Sequence, residues 1–276
     1  MRTDNHRADI ERLSGRVGLA AVLADLDRRL RRGVAPALPL LRAWTWDRAD
    51  RADRRWWPQG ISVAPGGRRV VTSWYAKDGG SRASFLDLEA GRYRHVDLVR
   101  PTPGGLVPLT VHAGGLAWRE HLLYIGATRA GLWVCDTRDV VRTPTGYALP
   151  VEYRLAPSEP FRFSFVGLAG DDLVVGEYQH DRRLALVGTD GTPALVTEAG
   201  IARMQGAAHV GGHWYVTTSH GPWRPGSIWA GGRRRRYAVP MGPEDLAHDP
   251  LTDRLWTLTE HPHRRWIVSM PRTRLG

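Results

Sequence analysis

The sequence predicts an all-β fold built as a ring of similar four-stranded units, with a short helical extension in front. Three observations predict it. First, five segments repeat one pattern of a small polar turn, a short apolar strand and a polar or aromatic end. Gln59-Gly60-Ile61 leads to Val70–Tyr75, His112–Leu116 to Leu123–Thr128, and Ser164–Leu168 to Leu173–Tyr178. Gln205-Gly206-Ala207 leads to Tyr215–His220, and Glu244-Asp245-Leu246 to Leu255–Glu260. A strand-filled period of roughly 40–50 residues is that of a propeller blade. Second, the chain carries twelve Trp against four Phe, a balance suited to sheets packed blade against blade. Third, no low-complexity stretch or linker divides the repeats, which favours one domain. Together these predict a five-bladed β-propeller with four-stranded blades over residues 39–276, preceded by an N-terminal α-helical extension over residues 1–38.

The elements follow in order. Leu19, Val22, Leu23, Leu26 and Leu30 recur at helical spacing, and Ile10, Leu13 and Val17 extend the pattern backwards. This predicts a helix over 8–32, weakest at Gly15 and Gly18 and stopped by Gly33 and Pro36. Such a helix would pack on the side or lower face of the ring, or contact a second copy of the chain. Next comes the apolar run 40–46. The fifth repeat ends early, at Arg265–Met270, and an open ring would leave two bare sheet edges. The segment 39–46 is therefore expected to close the last blade. Within the first blade, strands are expected at 61–64, 69–74, 84–88 and 93–99, with Pro65-Gly66-Gly67 as a tight turn. The second blade ends near 147–155.

The formal charge is +11, and Lys77 is the only lysine among the basic residues. An arginine bias of this kind fits a high-GC genome. The most basic run, Arg233–Arg236, lacks interleaved aromatics and reads as a solvated strand edge, so no nucleic-acid partner is predicted. The single cysteine, Cys135, lies in an apolar strand and reads as a buried, inert thiol. The first residues are charged and show neither a secretory leader nor a membrane span, so a cytoplasmic protein with no membrane partner is expected.

Repeat geometry locates the chemistry. Residues entering the first strand of a blade and those leaving the second share one face. Gln59, His112, Ser164, Gln205 and Glu244 then form a ring. Trp74, Tyr75, Lys77, Glu177, Tyr178, His180, Ser219, His220, Glu260 and His261 stand beside it. The turns at the opposite face are plain tight turns. Carboxylates buried near imidazoles in an aromatic funnel would supply a general acid and a general base. Glu177 and Glu244 are the candidate acid and base, with His112 and His220 as proton partners. Gln59, Gln205, Glu260 and Lys77 would orient polar substrate atoms, and Trp57, Trp74, Tyr75 and Tyr178 would form walls. No close-spaced metal-ligand motif occurs. No cofactor is predicted, although His and Glu with oxygen donors leave a divalent metal open. A serine-hydrolase elbow and a phosphate-binding Gly-rich loop are both missing.

The segments Trp57–Ile61, Ser73–Asp78, Tyr93–Val96, Val111–Gly115, Gly176–Tyr178, Met204–Ala207 and Gly242–Leu246 resemble a family of largely uncharacterised, Trp-rich actinobacterial β-propeller proteins, usually described as secreted. The resemblance spans roughly residues 56–270. It implies a propeller and carries no established activity. Members of that family usually look exported and this sequence does not, which suggests recruitment to an intracellular task such as tailoring a small molecule in natural-product biosynthesis.

The function expected from these readings is a small-molecule enzyme acting on a small organic substrate, with the positive charge balance favouring an anionic one. It would be a cyclase, isomerase, lyase or hydrolase with one acid–base pocket on the axis. A lectin-like binding module or a protein-interaction platform is the alternative. A lectin would repeat one site per blade, whereas the five ring positions here are unlike one another.

Overall fold

In the computed structural model, residues 2–37, 41–157, 161–178 and 182–275 are described. The chain is mostly β and its strands run as successive antiparallel meanders. The first contains Trp56–Val63, Arg69–Ala76, Ser81–Asp87 and Arg92–Thr102. Its strands overlap all four expected ones. The turn at Pro65-Gly66-Gly67 forms because Gly66 and Gly67 adopt φ of 94° and 74°, a region that side chains disfavour. The second meander contains Leu116–Arg119, Leu122–Gly126, Leu132–Asp136 and Gly146–Leu155. A parallel pairing of Ala148–Pro150 with Asp97–Val99 joins it to the first at their outer strands, giving one 12-stranded sheet.

The next four strands are Phe165–Ala169, Asp172–Gly176, Arg183–Val187 and Pro193–Glu198. Met204–Val210, His213–Thr218, Pro225–Ala230 and Arg233–Met241 follow. Each set forms a four-stranded sheet. The last sheet contains Pro243–Asp249, Arg254–Thr259 and Trp266–Pro271. Arg42–Thr45 then adds to it antiparallel, with Ile267 opposite Trp44 and Val268 opposite Ala43. The N-terminal part of the chain thus closes the C-terminal sheet, as the truncated fifth repeat required; residues 39 and 40 lie outside the described set. The innermost strand of every meander contacts the innermost strand of the next, and the last contacts the first.

Apolar clusters fill the spaces between neighbouring meanders. Phe85, Val96, Trp118, Leu123 and Ile125 pack between the first two, and Trp44, Trp46, Trp74, Tyr93 and Trp256 between the last and the first. Trp46 meets Trp74 edge-on at 4.6 Å and Tyr93 at 4.9 Å, while Trp44 stacks on Trp256 at 5.5 Å. Each fully buried large side chain contributes about 1.5–3 kcal/mol, so this junction is a main cohesive element. Cys135 is fully buried, and burial pushes its thiol upward.

The expected helix over 8–32 is not continuous. Helix occurs at Arg7–Glu11 and Gly18–Ala24 only. Gly15 and Gly18 adopt positive φ between them, which breaks the helix. Beyond Ala24, Arg28–Arg29 pairs with Arg92–Tyr93 and Arg31–Gly33 with Ala43–Thr45. Open sheet edges therefore capture the segment as strand, overriding its helical spacing. Val22 and Leu30 still face inward, but into two different clusters.

Candidate active site

The aligned entry residues meet at one cavity. It measures about 350 Å³ and is lined by Gln59, His112, Ser164, Gln205 and Glu244, together with Gly114, Thr128, Arg162, Tyr178 and Glu260. Local backbone explains how three of these reach it. The innermost strands slip register between Pro58 and Ile61, between Met204 and Gly206, and between Pro243 and Leu246. A β-bulge re-aims the side chain it carries, and these bulges carry Gln59, Gln205 and Glu244. The following glycines permit close approach of the neighbouring strand. A Cβ on Gly60 would lie 2.7 Å from Leu116 N, and one on Gly206 2.2 Å from Leu246 N.

Two carboxyls form the centre of the site. Gln205 Nε2 donates to Glu244 Oε1 at 3.1 Å, and Gln59 Nε2 donates to Glu260 Oε2 at 3.1 Å. Thr217 and Thr257 hydroxyls hold the Glu244 carbonyl at 3.1 and 3.2 Å. Arg265 Nε holds the Glu260 carbonyl at 2.8 Å. The two carboxyls also lie near enough for each to act on the other's proton affinity. Burial pushes Glu244 well above the carboxylate range, and the charges of Glu260 and Asp245 push it further. Burial raises Glu260 as well, but the Gln59 amide, Arg265, the Glu244 proton and Lys77 pull it back. Glu244 is therefore the carboxyl pushed more strongly toward its protonated form, and the pair titrates as a unit.

Around the pair, His112 packs on Tyr75 with ring centroids 4.5 Å apart. Burial lowers the His112 imidazole, keeping it neutral. Burial and the fields of Glu260 and Glu244 raise the Tyr75 hydroxyl. Lys77 is exposed, and its Nζ lies 4.2 Å over the Trp57 ring. Trp57 also meets His261 edge-on at 5.9 Å and donates Nε1–H to the Arg54 carbonyl at 3.1 Å.

Of the expected site residues, Trp57, Tyr75 and Lys77 are not among those lining the cavity, and Glu177, Trp74 and His220 lie elsewhere. Glu177 accepts from Arg183 Nε and Nη2 at 2.9 and 2.8 Å and from the Arg162 backbone N–H at 3.0 Å. These donors outweigh burial and hold it below its ordinary value. It stays ionised and anchors the segment that carries Arg162, so it is not a proton donor of the cavity. Trp74 is fully buried in the junction cluster and donates Nε1–H to Thr72 Oγ1 at 3.2 Å. It is core, not wall. His220 sits in a separate recess against Ser227 and Arg234. His180 lies outside the described residues.

Two residues central to the site went unread in the sequence. Asp245 occupies the position that glycine holds in Gln59-Gly60-Ile61 and Gln205-Gly206-Ala207. Its Oδ2 accepts from Ile61 N at 3.0 Å and Leu116 N at 2.9 Å, joining the last meander to the first two. Burial pushes Asp245 up to about 8, against the pull of those donors. The glycine-to-aspartate departure within the repeat was the available signal. Arg265 is fully buried and bridges the Glu260, Asp50 and Trp56 carbonyls. Its spacing carries no signal.

Away from the cavity, Ser84 Oγ, His95 Nδ1, His95 Nε2 and Asp50 Oδ2 connect at 2.7 and 2.8 Å. The order imitates a nucleophile relay, but Ser84 is fully buried. Asp50 also binds Tyr93, Arg82 and Arg28, so the cluster ties helix Arg48–Ala52 to the first meander. Among the described residues no group of three or more His, Cys, Asp or Glu could hold a metal, and no helix is long and apolar enough to cross a membrane.

The ring of sheets defines a β-propeller-like fold. Among solved structures it is similar to glutaminyl cyclase of Myxococcus xanthus, at 13% identity over 88% of this chain and 97% of that chain, with a TM-score of 0.51. A gluconolactonase of Xanthomonas campestris aligns at 13% identity over 89% and 96%, with a TM-score of 0.45. No family model and no curated protein sequence matches the chain.

Proposed function

We propose that the chain is a five-bladed propeller enzyme that performs acid–base chemistry on a small, amine-bearing molecule at its axis. The blade count treats the 12-stranded sheet as two blades joined at their outer strands. Each half has its own innermost strand and its own apolar junction. The function rests on one observation: two carboxyls, Glu244 buried and Glu260 partly buried, line one cavity, each bonded to a glutamine. Unlike neighbours that split carboxyl pKa values mark an acid and a base.

The pair carries one negative charge in a desolvated place. That charge favours an ammonium or amine group of the substrate beside it, while Arg162 in the same lining suits an anionic group, as the net charge led us to expect. Within this reading Glu260 removes a proton from the substrate amine. Its nitrogen attacks a carbonyl carbon of the same molecule and forms a C–N bond. Glu244 delivers its proton to the departing nitrogen as the old C–N bond breaks. Ammonia or an amine leaves, and a lactam remains. The propeller framework of a known glutaminyl cyclase is consistent with a reaction of this class. Neutral His112 and Tyr178 line the cavity, and Tyr75 packs against His112. The biosynthetic setting and cytoplasmic location belong to the same proposal.

A second reading is a non-catalytic amine-binding cavity, favoured by the glutamine already bonded to each carboxyl. Incubation with glutaminyl dipeptides, read by mass spectrometry for loss of ammonia, separates the two. Product formed by the wild type and lost in Glu244→Gln and Glu260→Gln supports the enzyme. Binding of the same dipeptides without any product supports the binding module, and unchanged product in both variants ends the acid–base assignment.

A further inference from the structure

The fourth meander carries a second concavity that the axial chemistry does not use. It measures about 290 Å³ and is lined by Arg203, His220, Arg224, Ser227, Arg234, Arg236 and Tyr237. Among the described residues no carboxylate lines it, and none of its four arginines makes an ion pair. Backbone geometry builds the recess. Gly226 pairs with Val239 and Ile228 pairs with Arg235, so Ser227 alone faces residues 236–238. The extra residues bulge outward and re-aim Arg236 and Tyr237. Tyr237 adopts a φ of 59°, a conformation that costs a non-glycine residue energy and clusters at ligand sites.

The floor is set by hydrogen bonds. Arg234 Nη2 lies 2.8 Å from His220 Nε2, and Arg234 Nε lies 3.2 Å from Ser227 Oγ. A guanidinium only donates, so His220 Nε2 is the acceptor and Nδ1 carries the proton. Burial, and then the four guanidinium charges, lower the imidazole and keep it neutral. The recess thus offers N–H donors of several geometries and no acceptor charge. Its volume approaches the roughly 300 Å³ lower bound of small-molecule pockets, and Tyr237 adds an aromatic face.

We infer that this arginine recess is a binding site for a phosphate-bearing small molecule, with the guanidiniums on the phosphate oxygens and Tyr237 against the attached group. Planar guanidiniums match phosphate oxygens bidentately, which a diffuse basic surface does not achieve. The site stands apart from the axial cavity and does not depend on its function.

Calorimetric titration of the full chain with inorganic phosphate and with phenyl phosphate tests the site. Both should bind saturably at one site, phenyl phosphate more tightly because of the Tyr237 face. Arg234→Gln and Arg236→Gln should each weaken binding about tenfold or more. Arg68→Gln, an equal charge loss at the opposite turn, should leave it unchanged. Unfolding temperatures of all variants should match the wild type, since these arginines are exposed. Absence of saturation, or equal weakening in Arg68→Gln, overturns the inference. Tighter binding of a single-stranded oligonucleotide, lost in the same two variants, replaces the small ligand with nucleic acid and also overturns it.

Discussion

Replacing Asp245 with Asn probes the residue that joins three meanders at the axis. Burial holds its carboxyl up to about 8 in the folded chain, whereas an unfolded Asp titrates near about 3.9. Between those values the folded state keeps a proton that the unfolded state has released. This contribution is present at low pH and is lost as pH rises through the folded value. Integrated from pH 5 to pH 8, the loss is about 3–4 kcal/mol. Asn keeps a carbonyl acceptor for Ile61 N and Leu116 N but cannot titrate. Glu244 and Glu260 shift in the same direction, so the difference between wild type and Asp245→Asn is the informative quantity. Urea unfolding at pH 5 and pH 8 measures it. The variant should gain on the wild type by about 3–4 kcal/mol between the two. Equal pH dependence in both proteins would refute the reasoning, showing that the backbone donors outweigh burial and keep Asp245 ionised throughout.

Further predictions follow from the same contacts. Glu244→Gln and Glu260→Gln should each lower turnover by about a hundredfold or more, read by product formation, with near-native unfolding. Trp74→Ala should cost about 3–5 kcal/mol in denaturant unfolding, whereas Trp57→Ala should cost less than about 1 kcal/mol and weaken ligand binding. Glu177→Gln should leave turnover intact. Because Glu177 is held below its ordinary value by Arg183, its stabilisation is full above the unfolded pKa of about 4.3 and disappears on acidification. Acid titrations of variant and wild type should therefore converge as pH falls.

The repeat was legible because strand-forming residues, tight-turn glycines and apolar alternation are local properties. Aligning the copies also identified Gln59, His112, Ser164, Gln205 and Glu244, since equivalent positions in a ring share a face. The closing strand followed from the need to pair an edge. The segment before it was misread because leucine spacing reports burial, and two clusters can bury the same leucines from a non-helical path.

Sequence alone determined the kind of framework and which residues gather at the axial cavity, because both arise from periodicity. Only the tertiary structure decided partners. Glu177 and Glu244 are both glutamates beside a repeat, yet one faces Arg183 and the other faces Glu260. Trp57 and Trp74 stand on adjacent strands, yet one lies under Lys77 and the other is sealed in a junction. Protonation and burial depend on groups brought together from distant positions, such as Gln59 with Glu260 and Asp245 with Leu116, and no local pattern encodes such meetings.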